Sequence, residues 1–564
     1  MNTSDDPAEA PSHPGAEPVD PADPYERETQ TFPQLAPELA ARVAGYGAAE
    51  DVPAGQWLFR RGDRSVDFFM VSSGQVEILD TDPHGRDHLV TVHGAHQFTG
   101  EMDLFNDRQI LVSGRAAVDS RVVRIPRADF RRLVANEPDI GEVVMRAFIL
   151  RRVGFIRHAQ GSVVLIGPAH GGDTLRLQRF MTRNGYPHRL LDTELDPAAG
   201  GFLDCFEIAP ADLPVVVAPG RRVLRNPSNA ELADALGLTE SLDPDKVYDV
   251  AVVGAGPAGL AAAVYAASEG LETLVIEAMA PGGQAGTSSK IENYLGFPTG
   301  ISGAALAGRA QAQAQKFGAR LAISRAAVAL DCSQPVHRLT LDGGQVVSAR
   351  AVVVATGARY RQLEVAHPVR YEGQGIHYAA TAMEAQLCAG EEVVVVGGGN
   401  SAGQAAVYLS RTVRHVHVLV RGAGLAATMS DYLVRRIDTS PKITVHPHTE
   451  ITALDGDAGL AGVTWTHRRT GASERKAVAN VFLMIGAEPN TDWLGGCLAL
   501  DAGGFVRTGR DVDPPAASPF ATSRPGIFAV GDVRSGSVKR VASGVGEGSV
   551  VVQAIHQFLN PLVD

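Results

Sequence analysis

A chain of 564 residues is long enough for three or four domains, and a composition of 45% apolar and 20% charged residues is that of a globular protein. The net charge of −12 argues against a nucleic-acid partner. No apolar run approaches the roughly 18–20 residues that cross a bilayer, and the acidic, proline-rich start lacks the parts of a signal peptide, so a cytoplasmic protein without membrane contact is expected.

Residues 1–30 carry six prolines by position 24 and no aromatic ring before Tyr25, which reads as a disordered tail. From 31 to 158, short runs such as "DFFMVSSGQVEIL", "HLVTVH" and "SRVVRI" alternate apolar and polar residues, with Gly and Asp at the breaks. This predicts a β-roll, followed by helix over "RADFRRLVANEPDIGEVVMRAFILRRVGFI". Residues 159–240 predict an α/β unit. Its strands are "SVVLIG", "HRLLDTEL" and "LPVVVAPGRRVL"; a first helix is closed by Gly185, and a second is opened by a Ser228/Glu231 capping box and stopped by Gly237. The remainder predicts two nested Rossmann-like α/β domains, one over 245–365 and 486–564, the other over 366–485.

The first carries "YDVAVVGAGPAGLAAAVYAASEGLETLVIEA". Gly254 allows a tight turn, Gly256 lets backbone approach a pyrophosphate, and Gly259 lets helix and strand pack closely. The helix opening at Pro257 and Ala258 offers amides to the phosphates. Glu277 ends the second strand, where an acid accepts from the adenosine ribose. A second turn, Gly397-Gly398-Gly399-Asn400-Ser401-Ala402, lies between strand "EEVVVV" and a helix. Gly397, Gly399, Asn400, Ser401 and Ala402 are its candidate nucleotide contacts. The position matching Glu277 is Val420, followed by Arg421, so a 2′-phosphate meets a cation instead of an acid, favouring NADPH over NADH.

Four further segments decide the first cofactor: "APGGQ" (280–284), "IENYLGFP", "AVVVATGARYR", and "PGIFAVGDVRSGSVKRVASGVGEGSVVVQAIHQFL". With the glycine turn they resemble the FAD domain of the thioredoxin reductase family over essentially all of 245–564. The resemblance implies FAD bound by Gly282, Gly283, Gln284, Asn293, Thr356, Gly357, Gly531, Asp532, Arg540 and Val541. It places Asp532 at the ribityl chain or phosphates and Lys539-Arg540-Val541-Ala542 beside the isoalloxazine, and it implies a homodimer.

The chain departs from that family where its redox disulfide reads C-A-T-C. Here the segment is Ala379-Ala380-Thr381-Ala382, so no internal dithiol and no catalytic side chain is expected. The cysteines, Cys205, Cys332, Cys388 and Cys497, form no C-x-x-C, and neither a metal cage nor a disulfide framework is read from them. Cys388, nine residues beyond Ala379 on a helical stretch, reads as a plain buried cysteine. Residues 159–240 resemble a thioredoxin or glutaredoxin fold, with Pro214 at that family's cis-proline, yet its C-x-x-C position reads His170-Gly171-Gly172-Asp173.

Residues 31–158 resemble cyclic nucleotide-binding domains, through Leu58-Phe59, Gly62-Asp63 and "FTGEMDLF". Gly100 and Glu101 match the phosphate cassette, where the acid takes the ribose 2′-hydroxyl. The family's phosphate arginine falls on Ile110, which leaves Arg108, or the more distant Arg115, as candidate.

The expected protein is an FAD-dependent oxidoreductase that takes hydride from NADPH and passes electrons to an acceptor without its own dithiol. Three alternatives stand beside it: direct reduction of a partner's disulfide, reduction of a ferredoxin or quinone, and a flavin redox sensor without turnover.

Overall fold

Short amphipathic strands broken by glycine turns build the first unit. A computed structural model describes residues 23–560 apart from 83–84, 107, 206–207, 219–221, 241, 289, 367–370, 372–373, 379 and 458. Strands β1 (Ala48–Val52), β2 (Trp57–Phe59), β3 (Phe68–Ser73), β4 (Val76–Thr81), β5 (Asp87–His93), β6 (Ser113–Ala116) and β7 (Ser120–Ile125) form two antiparallel sheets, β1-β7-β3 and β2-β6-β4-β5. Around them lie α1 (Glu28–Thr31), α2 (Pro37–Ala44), α3 (Arg127–Asn136) and the long α4 (Pro138–Arg157).

Part of the expected tail is structured. Tyr25 stacks on His158 with ring centroids 4.8 Å apart and its hydroxyl hydrogen-bonds Gln160, while the Thr31 hydroxyl donates to the Pro24 carbonyl. Composition gave too little weight to this one aromatic anchor; positions 1–22 lie outside the described residues.

The next unit runs β8 (Val163–Gly167), α5 (Gly172–Arg183), β9 (His188–Asp192), α6 (Ala198–Cys205), β10 (Val215–Ala218), β11 (Arg222–Arg225) and α7 (Asn229–Ala235). Its sheet order is β11-β10-β8-β9, with β8 and β9 parallel and the others antiparallel. Both halves of the Ser228/Glu231 capping box form, and Leu213–Pro214 is cis. This unit is not separate from the roll. One apolar cluster runs from Val52, Phe59 and Val122 through Phe155 of α4 to Leu165, Leu177, Phe180 and Leu232.

The third part has two lobes. In the first, β12 (Val247–Val253), α8 (Pro257–Ser268), β13 (Thr273–Glu277), α9 (Gly303–Lys316), β14 (Arg320–Ile323), β15 (Ala327–Asp331), β16 (His337–Leu341) and β17 (Val346–Val354) give the sheet order β14-β13-β12-β17-β16-β15. The chain then passes through β18 (Ala358–Tyr360) into the second lobe, formed by β19 (Ile376–His377), α10 (Ala382–Leu387), β20 (Glu392–Val396), α11 (Asn400–Leu409), β21 (His415–Val420), α12 (Asp431–Asp438), β22 (Ile443–Pro447), β23 (Thr449–Asp455), β24 (Gly462–His467), β25 (Ser473–Lys476) and β26 (Asn480–Leu483). Its parallel sheet is β19-β26-β20-β21-β22. The chain returns through β27 (Ala487–Pro489), which pairs with β18, and closes the first lobe with β28 (Ile527–Ala529) on β17 and α13 (Val541–Leu559) against α8. Buried Val and Ala runs such as Val250–Val253 and Val393–Val396 are what a parallel sheet covered on both faces requires.

Cys332 and Cys497 form a disulfide across 165 positions, where no disulfide framework was read from the cysteine spacing; the pairing follows from tertiary proximity that spacing does not encode. Among the described residues, no helix is long and apolar enough to cross a membrane.

Candidate functional site

The first glycine turn joins β12 to α8, whose N-cap is Gly256. Gly254 has φ +105 and its amide donates to the Ile276 carbonyl at 2.8 Å, which ties the turn to β13. A Cβ on Gly259 would lie 1.9 Å from the Gly254 carbonyl oxygen, so only glycine fits there, whereas a Cβ on Gly256 would meet nothing within 4 Å. The turn is therefore closed toward the sheet and open above Gly256, where a pyrophosphate would approach. Pro257 and Ala258 form the first turn of α8, so its unpaired amides face that opening.

Glu277 sits beside the turn at the end of β13. Its carboxylate accepts from the amides of Ala255 at 2.8 Å and Met279 at 3.0 Å. The Gly282 amide donates to the Ala255 carbonyl, and Gly283 approaches the Gly256 backbone, with an added Cβ 3.0 Å from the Gly256 Cα, while leaving the side of Gly256 that a Cβ would occupy open. The Gln284 amide donates to the Ala358 carbonyl, and the Thr356 hydroxyl to that of Asn490; the Asn490 amide donates in turn to the Gly357 carbonyl. Asn293 is exposed on the loop after residue 289.

Gly531 meets the first turn of α8, since a Cβ on it would be 2.8 Å from that of Ala258, and Asp532 follows it. Burial raises the Asp532 carboxyl above its ordinary range. Arg540 caps α13 and Val541 opens it, bringing a second helix N-terminus toward the same place. Glu547, missed in the sequence, accepts from the Gly531 amide at 2.6 Å and pairs with Arg534. Two helix N-termini, an open approach at Gly256 and an acid at the strand end fit an FAD molecule.

The second turn repeats the geometry. Gly397 has φ +141 and its amide donates to the Leu419 carbonyl, and Gly399 caps α11 with open space above it. Ser401 is exposed at the start of α11, while Ala402 is fully buried and packs rather than contacts. The Asn400 side chain accepts from the Ser430 amide at 2.6 Å, so it holds the 428–430 loop over the turn. Val420 ends β21 beside Gly398, and Arg421 follows it, exposed at the mouth.

No thiol stands in the segment that carries the redox disulfide in the thioredoxin reductase pattern. Ala379 lies outside the described residues, and Ala382 opens α10. Cys388 is fully buried, and burial pushes its thiol up to about 12. Thr381 and Glu384 hydrogen-bond one another, and Arg179 of α5 reaches Glu384 from the preceding unit.

In the β-roll the expected contacts are arranged differently. Glu101, which the resemblance puts against a ribose 2′-hydroxyl, is only 2% exposed and meets Arg152 of α4 at 2.7 Å. Asp103 shares the same guanidinium at 2.7 Å. Burial raises the Glu101 carboxyl well above its usual range; burial is also the largest single influence on Asp103 and opposes its ionisation, but Arg152, the hydrogen bond with Glu101 and Arg108 together outweigh it and hold Asp103 low. Gly100, at φ +104, accepts from Arg151 through its carbonyl. Arg108 is buried beside Glu101 and Asp103 around a cavity of about 10 Å³, and a second of about 20 Å³ lies between Phe32, His93, Arg151 and Phe155. Each has room for about one water. Arg115 pairs with Glu77 at 2.5 Å, and Ile110 is buried in the apolar cluster. Arg152 was missed because its partners lie about fifty positions upstream.

Comparison with known proteins agrees with the two-lobed site. Residues 248–548, more than half of the chain, match the pyridine nucleotide-disulphide oxidoreductase family. The chain belongs to that family. Membership implies FAD and NAD(P)H binding, and the protein is a flavin-dependent oxidoreductase of the thioredoxin reductase class. The family region is 32% identical over 320 residues to thioredoxin reductase of Streptomyces clavuligerus, covering 56% of this chain and 96% of the relative. It is 33% identical to that of Streptomyces coelicolor, again over 56% and 96%. Lactococcus lactis thioredoxin reductase in its FR conformation superposes with a TM-score of 0.51 at 27% identity, over 55% of this chain and 99% of that one. Ahead of the family region, residues 49–137 match the cyclic nucleotide-binding domain.

Proposed function

We propose that the chain oxidises NADPH at Gly397–Ala402 and Arg421 and passes the electrons through FAD, held at Gly254–Gly259, to an acceptor outside its own cysteines. FAD, when bound, accepts hydride from the nicotinamide and delivers two electrons onward. The observation that carries this reading is the pair of glycine turns, each open above the helix N-terminus, combined with alanine at both thiol positions. The chain's residues bind and orient, and the segment that carries the redox disulfide in the thioredoxin reductase pattern supplies no thiol. Residues 159–240 read as a thioredoxin-like unit without its dithiol, supported by the strand order. The β-roll reads as a nucleotide sensor in which a ligand must compete with Arg152 for Glu101.

NADPH is expected to reduce the flavin at lower concentration than NADH, because Arg421 stands where an acid would repel the 2′-phosphate. Arg421→Ala should narrow that gap by about tenfold, the loss of ~1.4 kcal/mol from one exposed charge-assisted contact. Anaerobic titration with both nucleotides measures it, and equal preference in the native protein would refute the assignment.

Reductive titration of the native protein should end at two electrons per flavin. A four-electron endpoint would make Cys332–Cys497 a redox partner of the flavin. Repeating the titration with Cys332→Ser would show it, and would replace the dithiol-free reading.

A further inference from the structure

The two lobes of the family region are joined by one narrow ribbon. The chain leaves the first lobe through β18 and returns through β27, paired at Ala358↔Pro489, Arg359↔Glu488 and Tyr360↔Ala487. A two-stranded connector of this length is a weak restraint on the angle between two packed sheets. Another contact between the lobes, Arg436 with Glu292 at 3.0 Å, joins partly exposed side chains.

Helix α5 of the preceding unit lies across this junction and touches both lobes. At its C-terminal end Arg183 donates to the Gly283 carbonyl at 3.0 Å, and the Asn184 side chain to that of Met279 at 3.2 Å, both in the first lobe. One turn earlier, Arg179 stands 3.5 Å from the Glu384 carboxylate and 3.4 Å from His377 Nδ1, both in the second. At the start of the helix, Gly172 packs on Gln374, where an added Cβ would be 3.1 Å from the side-chain amide. Positions 172, 179 and 183 fall on one face of a helix. The receptor on the second lobe is built: His377 and Glu384 are 3% and 5% exposed, His377 is held by Asn480 at 2.8 Å, and Glu384 by Thr381. The opposite face of α5, through Leu177, Phe180 and Met181, is buried in the apolar cluster shared with the β-roll.

We propose that α5 is a brace that fixes the angle between the two lobes, and that the β-roll, through the core it shares with α5, sets how firmly the brace holds. The thioredoxin-like unit then acts as a conformational part, and the lost dithiol at His170–Asp173 is consistent with that use. The functional consequence rests on the reading of the lobes as flavin and nicotinamide domains; the brace itself does not.

Spin labels at Ser268→Cys on the first lobe and Ser473→Cys on the second, both exposed positions, report the interlobe distance in the full chain. The otherwise native protein should give one narrow distribution. Arg179→Ala with Arg183→Ala should broaden it or add a second distance. Glu384→Gln should act in the same direction from the other side of the contact, and it decides alone if the double variant does not fold. Unchanged distributions in these variants would overturn the brace. On the same samples, anaerobic flavin reduction by NADPH should change by about fivefold or more, the usual size of coupling within one protein. A changed distance with no reduction by NADPH in any sample keeps the brace and removes the oxidoreductase reading. Unchanged distances with normal reduction do the reverse.

Discussion

Gly256→Val is expected to yield folded, colourless protein, while Gly259→Ala is expected to damage the fold itself. The two glycines are three residues apart and differ in what surrounds them. Gly256 has φ −69 and ψ −179, a conformation open to any residue, and its missing Cβ points into space with nothing within 4 Å. A valine there meets no protein atom at its Cβ but fills the approach of a pyrophosphate to the α8 amides. Losing one or two charge-assisted hydrogen bonds costs ~3 kcal/mol or more, about two decades or more in affinity. Gly259 is buried in α8, and a methyl group there would stand 1.9 Å from the Gly254 carbonyl and 3.2 Å from the Ala355 side chain. Helix and strand must separate, at a cost of about 3 kcal/mol or more for overpacking against backbone. Flavin absorbance per chain and thermal melting distinguish the two. Full flavin occupancy in Gly256→Val would remove the turn from the cofactor site, and native melting in Gly259→Ala would mean the helix does not approach this closely.

The glycine turns were legible because their signal is local. Strand, turn, helix and terminal acid lie within one stretch ending at Glu277, and each residue's role follows from backbone geometry. The capping box at Ser228 and Glu231 was legible for the same reason. What failed to show was long-range. Arg152 and Glu101 are on different elements and meet only when α4 folds back over the roll. Arg179 and Glu384 meet only when the unit over 159–240 docks on the second lobe. Cys332 and Cys497 look isolated until β15 and the segment after β27 come together. Asn400 illustrates a subtler limit: it opens α11 at the second turn, and its side chain holds the neighbouring loop, which a spacing rule does not reveal. The roll and the following unit share one apolar cluster, a long-range packing that the local pattern on either side of residue 159 does not reveal.

Arg152→Ala is expected to be the most damaging single substitution in the β-roll, and its effect should depend on pH. Arg152 stands 2.7 Å from Glu101 and 2.7 Å from Asp103, whose side chains are only 2% and 6% exposed. Removing the guanidinium leaves two neighbouring carboxyls without their shared cation, a loss of about 3–5 kcal/mol. That corresponds to roughly a 10 °C fall in the melting transition of a unit this size. The sign of the pH effect follows from the two carboxyls. Asp103 is held below its ordinary range, so in the native protein it adds stability above the unfolded value and loses it as pH falls through the depressed one. Glu101 is raised, so its ionisation opposes folding above the ordinary carboxylate range, and stability returns as pH falls through the raised value. Without Arg152 the two buried carboxyls keep only Arg108 nearby, one cation for two acids, and burial raises them; protonation then relieves the variant. The deficit of Arg152→Ala relative to native should therefore be larger near about pH 8 than near about pH 5, where buried carboxyls with raised values take up protons. Arg152→Lys keeps the charge and should recover part of the loss at the higher pH. Arg115→Ala provides the contrast, since its pair with Glu77 is partly exposed and should contribute about 1 kcal/mol or less. A pH-independent deficit in Arg152→Ala, or one no larger than that of Arg115→Ala, would mean that Arg152 does not neutralise the cassette carboxyls in solution.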